Sequence, residues 1–171
     1  MTLSEIVADI KSDRRKKVIL DTDTYNEIDD QYALAYCYLS DKIDLLSVNA
    51  APFLNDRSES YADGMEKSYH EAIKTLKLVD PEFTTPVYRG SVENLLETGR
   101  DFTESEAADN IIKTVRESDE IVYVAASGAL TNVASALLKA PDIKDKICVL
   151  FVGCRPLELN CPVEYNVEQD Y

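Results

Sequence analysis

The sequence predicts an α/β fold: a Rossmann-like open sheet, mostly parallel, with helices on both faces. Three observations predict it. Apolar runs of strand length alternate with stretches of helical period along the chain. The runs at 17–22, 120–126 and 146–152 are nearly continuous in apolar residues, as expected of strands buried on both faces. The polar residues that could carry chemistry fall just after strands, where ligands bind in open parallel sheets.

The elements follow in order. Residues 2–12 read as a short helix, with Thr2 and Glu5 at capping-box spacing. A basic connector, 13–17, leads into strand one at 17–22. Residues 28–39 read as a helix on the spacing of Ile28, Tyr32, Ala35, Tyr36 and Leu39, with Tyr32, Tyr36 and Tyr38 expected in the core. Strand two is 43–50, and 51–62 is a polar loop. A helix over 63–79 carries Met65, Tyr69, Ile73, Leu76 and Val79 on one side. Val87–Tyr88 is a short third strand, and 89–102 is a loop. Thr103 and Glu106 are placed to cap a helix running to Ser118. Strand four, 120–126, turns through Ser127 and Gly128 into a helix at 130–140, with Ser127 read as its N-cap and Asn132 as support for the turn. Strand five, 146–152, leads into an irregular segment. No repeat or linker divides the chain, so residues 1–171 are read as a single domain. No covering helix follows strand five, so the fold is expected to be incomplete at its C-terminal side, with one sheet face partly bare.

Composition narrows the function. A formal charge of −14 argues against nucleic acid and anionic membranes, because phosphate contacts need Lys and Arg. No apolar run reaches membrane-spanning length. The N-terminus has no signal-peptide core, and cytoplasm is the expected compartment. Cys37, Cys148, Cys154 and Cys161 form no Cys-x-x-Cys pair and read as free thiols. The expected partner is a small molecule; a homo-oligomer is compatible.

The densest chemistry lies after strand one. Asp21, Asp23, Glu27, Asp29 and Asp30 place five carboxylates within ten residues. Carboxylates that close repel, and burial raises their pKa values. A hard divalent cation with oxygen ligands, Ca²⁺ or Mg²⁺, relieves both problems. The alternative is a solvated acidic loop in an acidic chain, although a surface loop would not need the apolar strand that feeds it.

Three stretches together resemble a known family. Asp21-Thr22-Asp23 with Asp29-Asp30 resembles the strand followed by Asp-x-Asp-Pro-Gly-x-Asp-Asp of the inosine–uridine-preferring nucleoside hydrolases. The run 127–134, Ser-Gly-Ala-Leu-Thr-Asn-Val-Ala, resembles that family's Gly-Pro-Leu-Thr-Asn-Val-Ala, and Glu164-Tyr165-Asn166 resembles its Glu-Phe-Asn, with Asp170 matching an Asp shortly after. The resemblance implies Ca²⁺-dependent hydrolysis of the N-glycosidic bond of a ribonucleoside. It implies Asp23 as general base and metal ligand, Asp30 as second metal carboxylate, and Thr131 as a ligand through its carbonyl. It further implies that Asp29, Glu164 and Asn166 hold the ribose and that Asp21 supports the site. Asn49 is the candidate for the family's Asn after strand two, and Asn160 lies near another expected Asn.

The chain also departs from that pattern. Pro-Gly is absent, and two extra residues separate Asp23 from Asp29, so that Tyr25 or Asn26 is expected to reach the ligand. The family's later His-Asp pair, which protonates the leaving base and completes the metal shell, has no counterpart; the one histidine, His70, reads as a solvated helix position. A truncated member that binds ribose or Ca²⁺ without turnover, or acts as one piece of a larger assembly, is therefore a second reading. A third is a phosphatase: 18–24 also resembles the haloacid-dehalogenase-like Asp-x-Asp-x-Thr pattern, with Asp21 as nucleophile, Asp23 as general acid and Ser127 as a phosphate-binding hydroxyl. The Lys and acidic motif expected downstream are missing from it.

Overall fold

The computed structural model describes residues 1–99, 101–153 and 164–170. Its elements are α1 (Leu3–Lys11), β1 (Lys16–Thr22), α2 (Ile28–Leu39), β2 (Ile43–Ala50), α3 (Tyr61–Val79), β3 (Val87–Tyr88), α4 (Leu95–Thr98), α5 (Glu106–Glu117), β4 (Val122–Ala126), α6 (Thr131–Lys139), a 3-10 turn (Pro141–Asp145), β5 (Ile147–Phe151) and α7 (Tyr165–Gln169). The five strands form one sheet in the order β3-β2-β1-β4-β5. Every pairing is parallel.

Side-chain alternation along β1 divides the core. Ile19 points to a cluster with Ile111 and Val115 of α5, Val133 and Ala136 of α6, and Val122, Val124 and Ile147 of the sheet. Leu20 points the other way, to Leu34 of α2, Ala72 and Leu76 of α3, and Val48. Helices therefore cover both faces, as a parallel sheet requires. α1 begins with the expected capping box, and its Asp9 accepts from the Tyr123 hydroxyl of β4 at 2.5 Å.

Several expectations need correction. The stripe Ile28, Tyr32, Tyr36 and Leu39 lies outside the core, at 66–71% exposure. The inward face of α2 carries Asp30 and Leu34, with Cys37 and Tyr38 packed beside them. Because an acid occupies a core-facing position, counting apolar residues selects the wrong face. Tyr38 alone of the three tyrosines packs inward, and it donates to Asp80 at 2.5 Å. On α3 the buried line runs through the smaller Gly64, Ser68, Ala72 and Thr75 as well as Met65 and Leu76. The loop 89–102 contains α4, capped by Asn94 and ended by Gly99 at φ 61°. The N-cap of α5 is Ser105, which accepts from Ala108 N at 3.1 Å. Thr103 instead bonds Ser135 of α6, 3.0 Å between hydroxyls. The N-cap of α6 is Leu130, without a side-chain bond, so Ser127 does not cap it.

Among the described residues the β5 edge of the sheet is partly exposed on the α2 face. Leu150 is 46% exposed and Val152 is 65% exposed. A cavity of about 450 Å³ opens there between Leu20, Ala33, Cys37, Ala125, Leu150 and Val152. No helix of the described residues is long and apolar enough to cross a membrane. Cys37 and Cys148 are free thiols; Cys154, Cys161 and Asn160 lie outside the described residues.

Candidate active site

β1 and β4 are neighbours, yet β1 continues to one side of the sheet and β4 to the other. The crevice at their carboxyl ends is the place where such a sheet binds ligands. Ser127 N donates to Asp21 O at 2.9 Å and Ala51 N donates to Thr22 O at 2.9 Å, so three strand ends close around the acidic turn.

Asp21 forms the floor and is fully buried. Asn132 donates its amide to Asp21 Oδ2 at 3.2 Å and to the Ala50 carbonyl at 3.2 Å, and accepts from Ser91 N at 2.8 Å. Burial pushes the Asp21 carboxyl up to about 7, against the opposing pull of Asn132 and Asn49. Asn49 is fully buried beside Asp21 in the β1–β2 register, and its Oδ1 accepts from Asn110 at 3.2 Å.

Asp23 and Asp30 form the centre, at 1% and 6% exposure. Burial and then the neighbouring Asp30 charge push Asp23 well above the usual carboxylate range. Burial also raises Asp30, and the nearby Ser127 and Thr22 hydroxyls oppose it. Neither hydroxyl makes a hydrogen bond of regular geometry, and the buried Thr24 hydroxyl and Asn49 amide nitrogen also lack partners. Gly128 lets the β4 loop approach Asp23: a Cβ there would stand 2.8 Å from Asp23 Oδ1. Two buried like charges among unspent oxygens fit a hard divalent cation. Among the described residues no group of three or more His, Cys, Asp or Glu side chains is placed to hold a metal, so backbone carbonyls or water would have to complete a shell begun by Asp23 and Asp30.

The other predicted residues surround this centre. Asp29 is exposed at the start of α2. Thr131 is buried, and its hydroxyl donates to Asp170 Oδ2 at 2.6 Å. Glu164 caps α7, accepting from Asn166 N at 3.1 Å and Val167 N at 3.3 Å. Asn166 donates to the Val152 carbonyl at 2.7 Å. His70 is exposed on α3, 3.1 Å from Glu66. The ligand-reaching role expected of Asn26 is filled differently. Asn26 is 2% exposed and donates to Asp23 Oδ2 at 2.8 Å. Sequence reasoning did not find its partner, Asn55, in the polar loop before α3; a lone Asn among polar residues carries no signal of its own.

A sequence model described as inosine-uridine preferring nucleoside hydrolase matches residues 18–167. A purine-preferring ribonucleoside hydrolase from Gardnerella vaginalis superposes with a TM-score of 0.70 at 25% identity, covering 91% of this chain and 55% of that one. The inosine-uridine preferring nucleoside hydrolase from Bacillus anthracis gives a TM-score of 0.61 at 21% identity, covering 91% of this chain and 58% of that one. A plant nucleoside hydrolase, PpNRh1, gives 0.69 at 21% identity, covering 91% and 54%. The chain thus spans just over half the length of these solved relatives. No curated protein matches.

Proposed function

The chain belongs to the inosine-uridine preferring nucleoside hydrolase family, and on that premise we propose that its site serves Ca²⁺-dependent hydrolysis of the N-glycosidic bond of a ribonucleoside, releasing base and ribose. One observation carries this reading: Asp23, just after β1, and Asp30, in the first turn of α2, lie buried together, and among the described residues no basic side chain hydrogen-bonds either of them. In this reading Asp23, Asp30 and the Thr131 carbonyl would hold the cation. Bound Ca²⁺ would supply Lewis acidity toward water and the sugar hydroxyls.

The chain's own residues do the rest. Asp23 takes the proton from the attacking water, and its Oδ2 is held by the Asn26 amide while it does so. Asp21 supports the site by fixing Asn132, which spans β1, β2 and the loop after β3. Asp29, Glu164 and Asn166 hold the ribose, with Asn49 assigned to the floor beneath it. The acid-rich crevice favours the positive charge that develops on the sugar as the glycosidic bond breaks.

A second reading, binding of ribose and Ca²⁺ without turnover, is favoured by the position of His70 on the exposed face of α3, where it pairs with Glu66 and not with the acidic turn. Two measurements separate the readings. Ca²⁺ calorimetry with and without D-ribose tests the site; tightening by ribose supports both. Release of nitrophenol from a nitrophenyl riboside, whose leaving group needs little protonation, supports hydrolysis; its absence despite Ca²⁺ binding supports the second reading.

A further inference from the structure

The two extra residues of the acidic turn place a side-chain amide where the family pattern has Pro-Gly. Asn26 Nδ2 donates to Asp23 Oδ2 at 2.8 Å, and Asn26 Oδ1 accepts from Asn55 Nδ2 at 2.7 Å. The same Asn55 Nδ2 donates to the Tyr165 hydroxyl. Asn55 Oδ1 is engaged by Arg57 N at 2.9 Å, which fixes the amide's orientation. The carboxylate fixes that of Asn26 in turn, because an ionised acid only accepts. The Arg57 guanidinium and the turn bond from Asn26 N to Asp23 O, 2.6 Å, hold the Asn26 backbone. Tyr165 stands between Glu164 and Asn166 on α7, and Gln169 of the same helix accepts from Leu54 N at 2.8 Å. Three segments distant in sequence thus meet in one directed chain of hydrogen bonds.

We propose that Asn26, Asn55 and Tyr165 are positioning residues that couple the Asp23 carboxylate to α7, so that the metal-holding turn and the sugar-holding helix order each other. This rests on the hydrolase reading for what each end holds, but the coupling is a property of the chain itself. Among the described residues Asn55 bonds both Asn26 of the turn and Tyr165 of α7, and Thr131 separately bonds Asp170 at the end of that helix. A ribose seated on Glu164 and Asn166 would stabilise the bound form of the turn, and a cation at Asp23 would stabilise the bound form of α7.

The test uses Asn26→Ala, Asn55→Ala, Tyr165→Phe and the double variant Asn26→Ala/Tyr165→Phe. Tyr165→Phe removes one oxygen from a part-exposed ring, so it folds even where an Asn26 variant does not. Backbone amide exchange is read first, without ligands. The expected result is several-fold faster exchange in 23–28 for Tyr165→Phe and in 164–170 for Asn26→Ala, with β4 and α5 unchanged. Unchanged exchange at the distant end of both variants overturns the proposal. Ca²⁺ calorimetry is read second. Removing an outer partner of a metal-holding carboxylate is expected to weaken binding by roughly 10- to 100-fold. Tyr165→Phe should weaken it in the same direction and abolish tightening by D-ribose, and the double variant should be no weaker than the worse single one. Additive effects, or a Tyr165→Phe protein with unchanged Ca²⁺ affinity and intact ribose tightening, overturn the proposal. A parent chain that binds no Ca²⁺ overturns the hydrolase reading instead, and amide exchange then decides the coupling.

Discussion

At the scale of single residues, the site stores charge at the cost of stability. Asp21 is fully buried with the Asn132 amide as its partner, and its carboxyl is raised from 3.8 to about 7 by burial. Asp23 and Asp30 are raised in the same direction. A carboxyl whose folded pKa lies above its unfolded value holds its proton more tightly when folded. Its penalty is absent below the unfolded pKa and grows as pH rises toward the folded one. In chelator, stability should therefore fall between about pH 4 and pH 7, at up to roughly 1.4 kcal/mol per pH unit from Asp21 alone. Added Ca²⁺ should stabilise more at pH 8 than at pH 5, because metal and protons compete for the same oxygens. Asp23→Asn separates function from folding: it should abolish riboside hydrolysis while raising the melting temperature of the metal-free chain at pH 8. Thermal melts in chelator beside nitrophenol release check both; retained turnover removes Asp23 from its role, and a lower melting temperature removes the charge argument.

At the scale of elements, the site depends on how closely the β4 loop approaches the acidic turn. Gly128→Ala puts a Cβ 2.8 Å from Asp23 Oδ1 and 3.0 Å from the Ala51 side chain. The turn must shift, and Ca²⁺ affinity should drop at least tenfold while far-UV circular dichroism stays that of the parent; unchanged affinity would show that the loop accommodates the methyl group. The sequence pattern made β1, β2, α2 and β3 legible to within a residue or two, because each is an apolar run or a periodic stretch bounded by polar turns. The acidic turn was marked out by its carboxylate density, and a resemblance singled out Thr131, Glu164 and Asn166 as candidates. Other features were hidden for physical reasons. α2 turns Asp30 inward, so its apolar stripe faced the wrong way. Thr103 had the spacing of a cap but pairs across to Ser135, a tertiary bond that no local rule contains. Asn55 reaches Asn26 over 29 positions of sequence, and nothing local marks it.

At the scale of the whole molecule, stability should be lopsided across the sheet. On one face α5 and α6 seal Ile19, Val122, Val124 and Ile147 into a closed cluster. On the other, α2 and α3 cover β1 and β2, and the outer part of β5 stays open at Leu150 and Val152. Burial, rather than residue type, sets what a truncated side chain costs. Ile19→Ala removes a side chain with no exposure and should cost about 2–5 kcal/mol. Leu150→Ala removes one of similar size that is 46% exposed and should cost under about 1 kcal/mol. Urea unfolding of the two variants, compared at equal slope, reads the difference directly. Equal losses would mean that the outer face of β5 is covered in solution, and the site beside it would then be more enclosed than the open crevice described above. A large difference would leave the β5 side of the crevice open to solvent, on the flank where the β4 loop, Ser127 and the end of β5 meet.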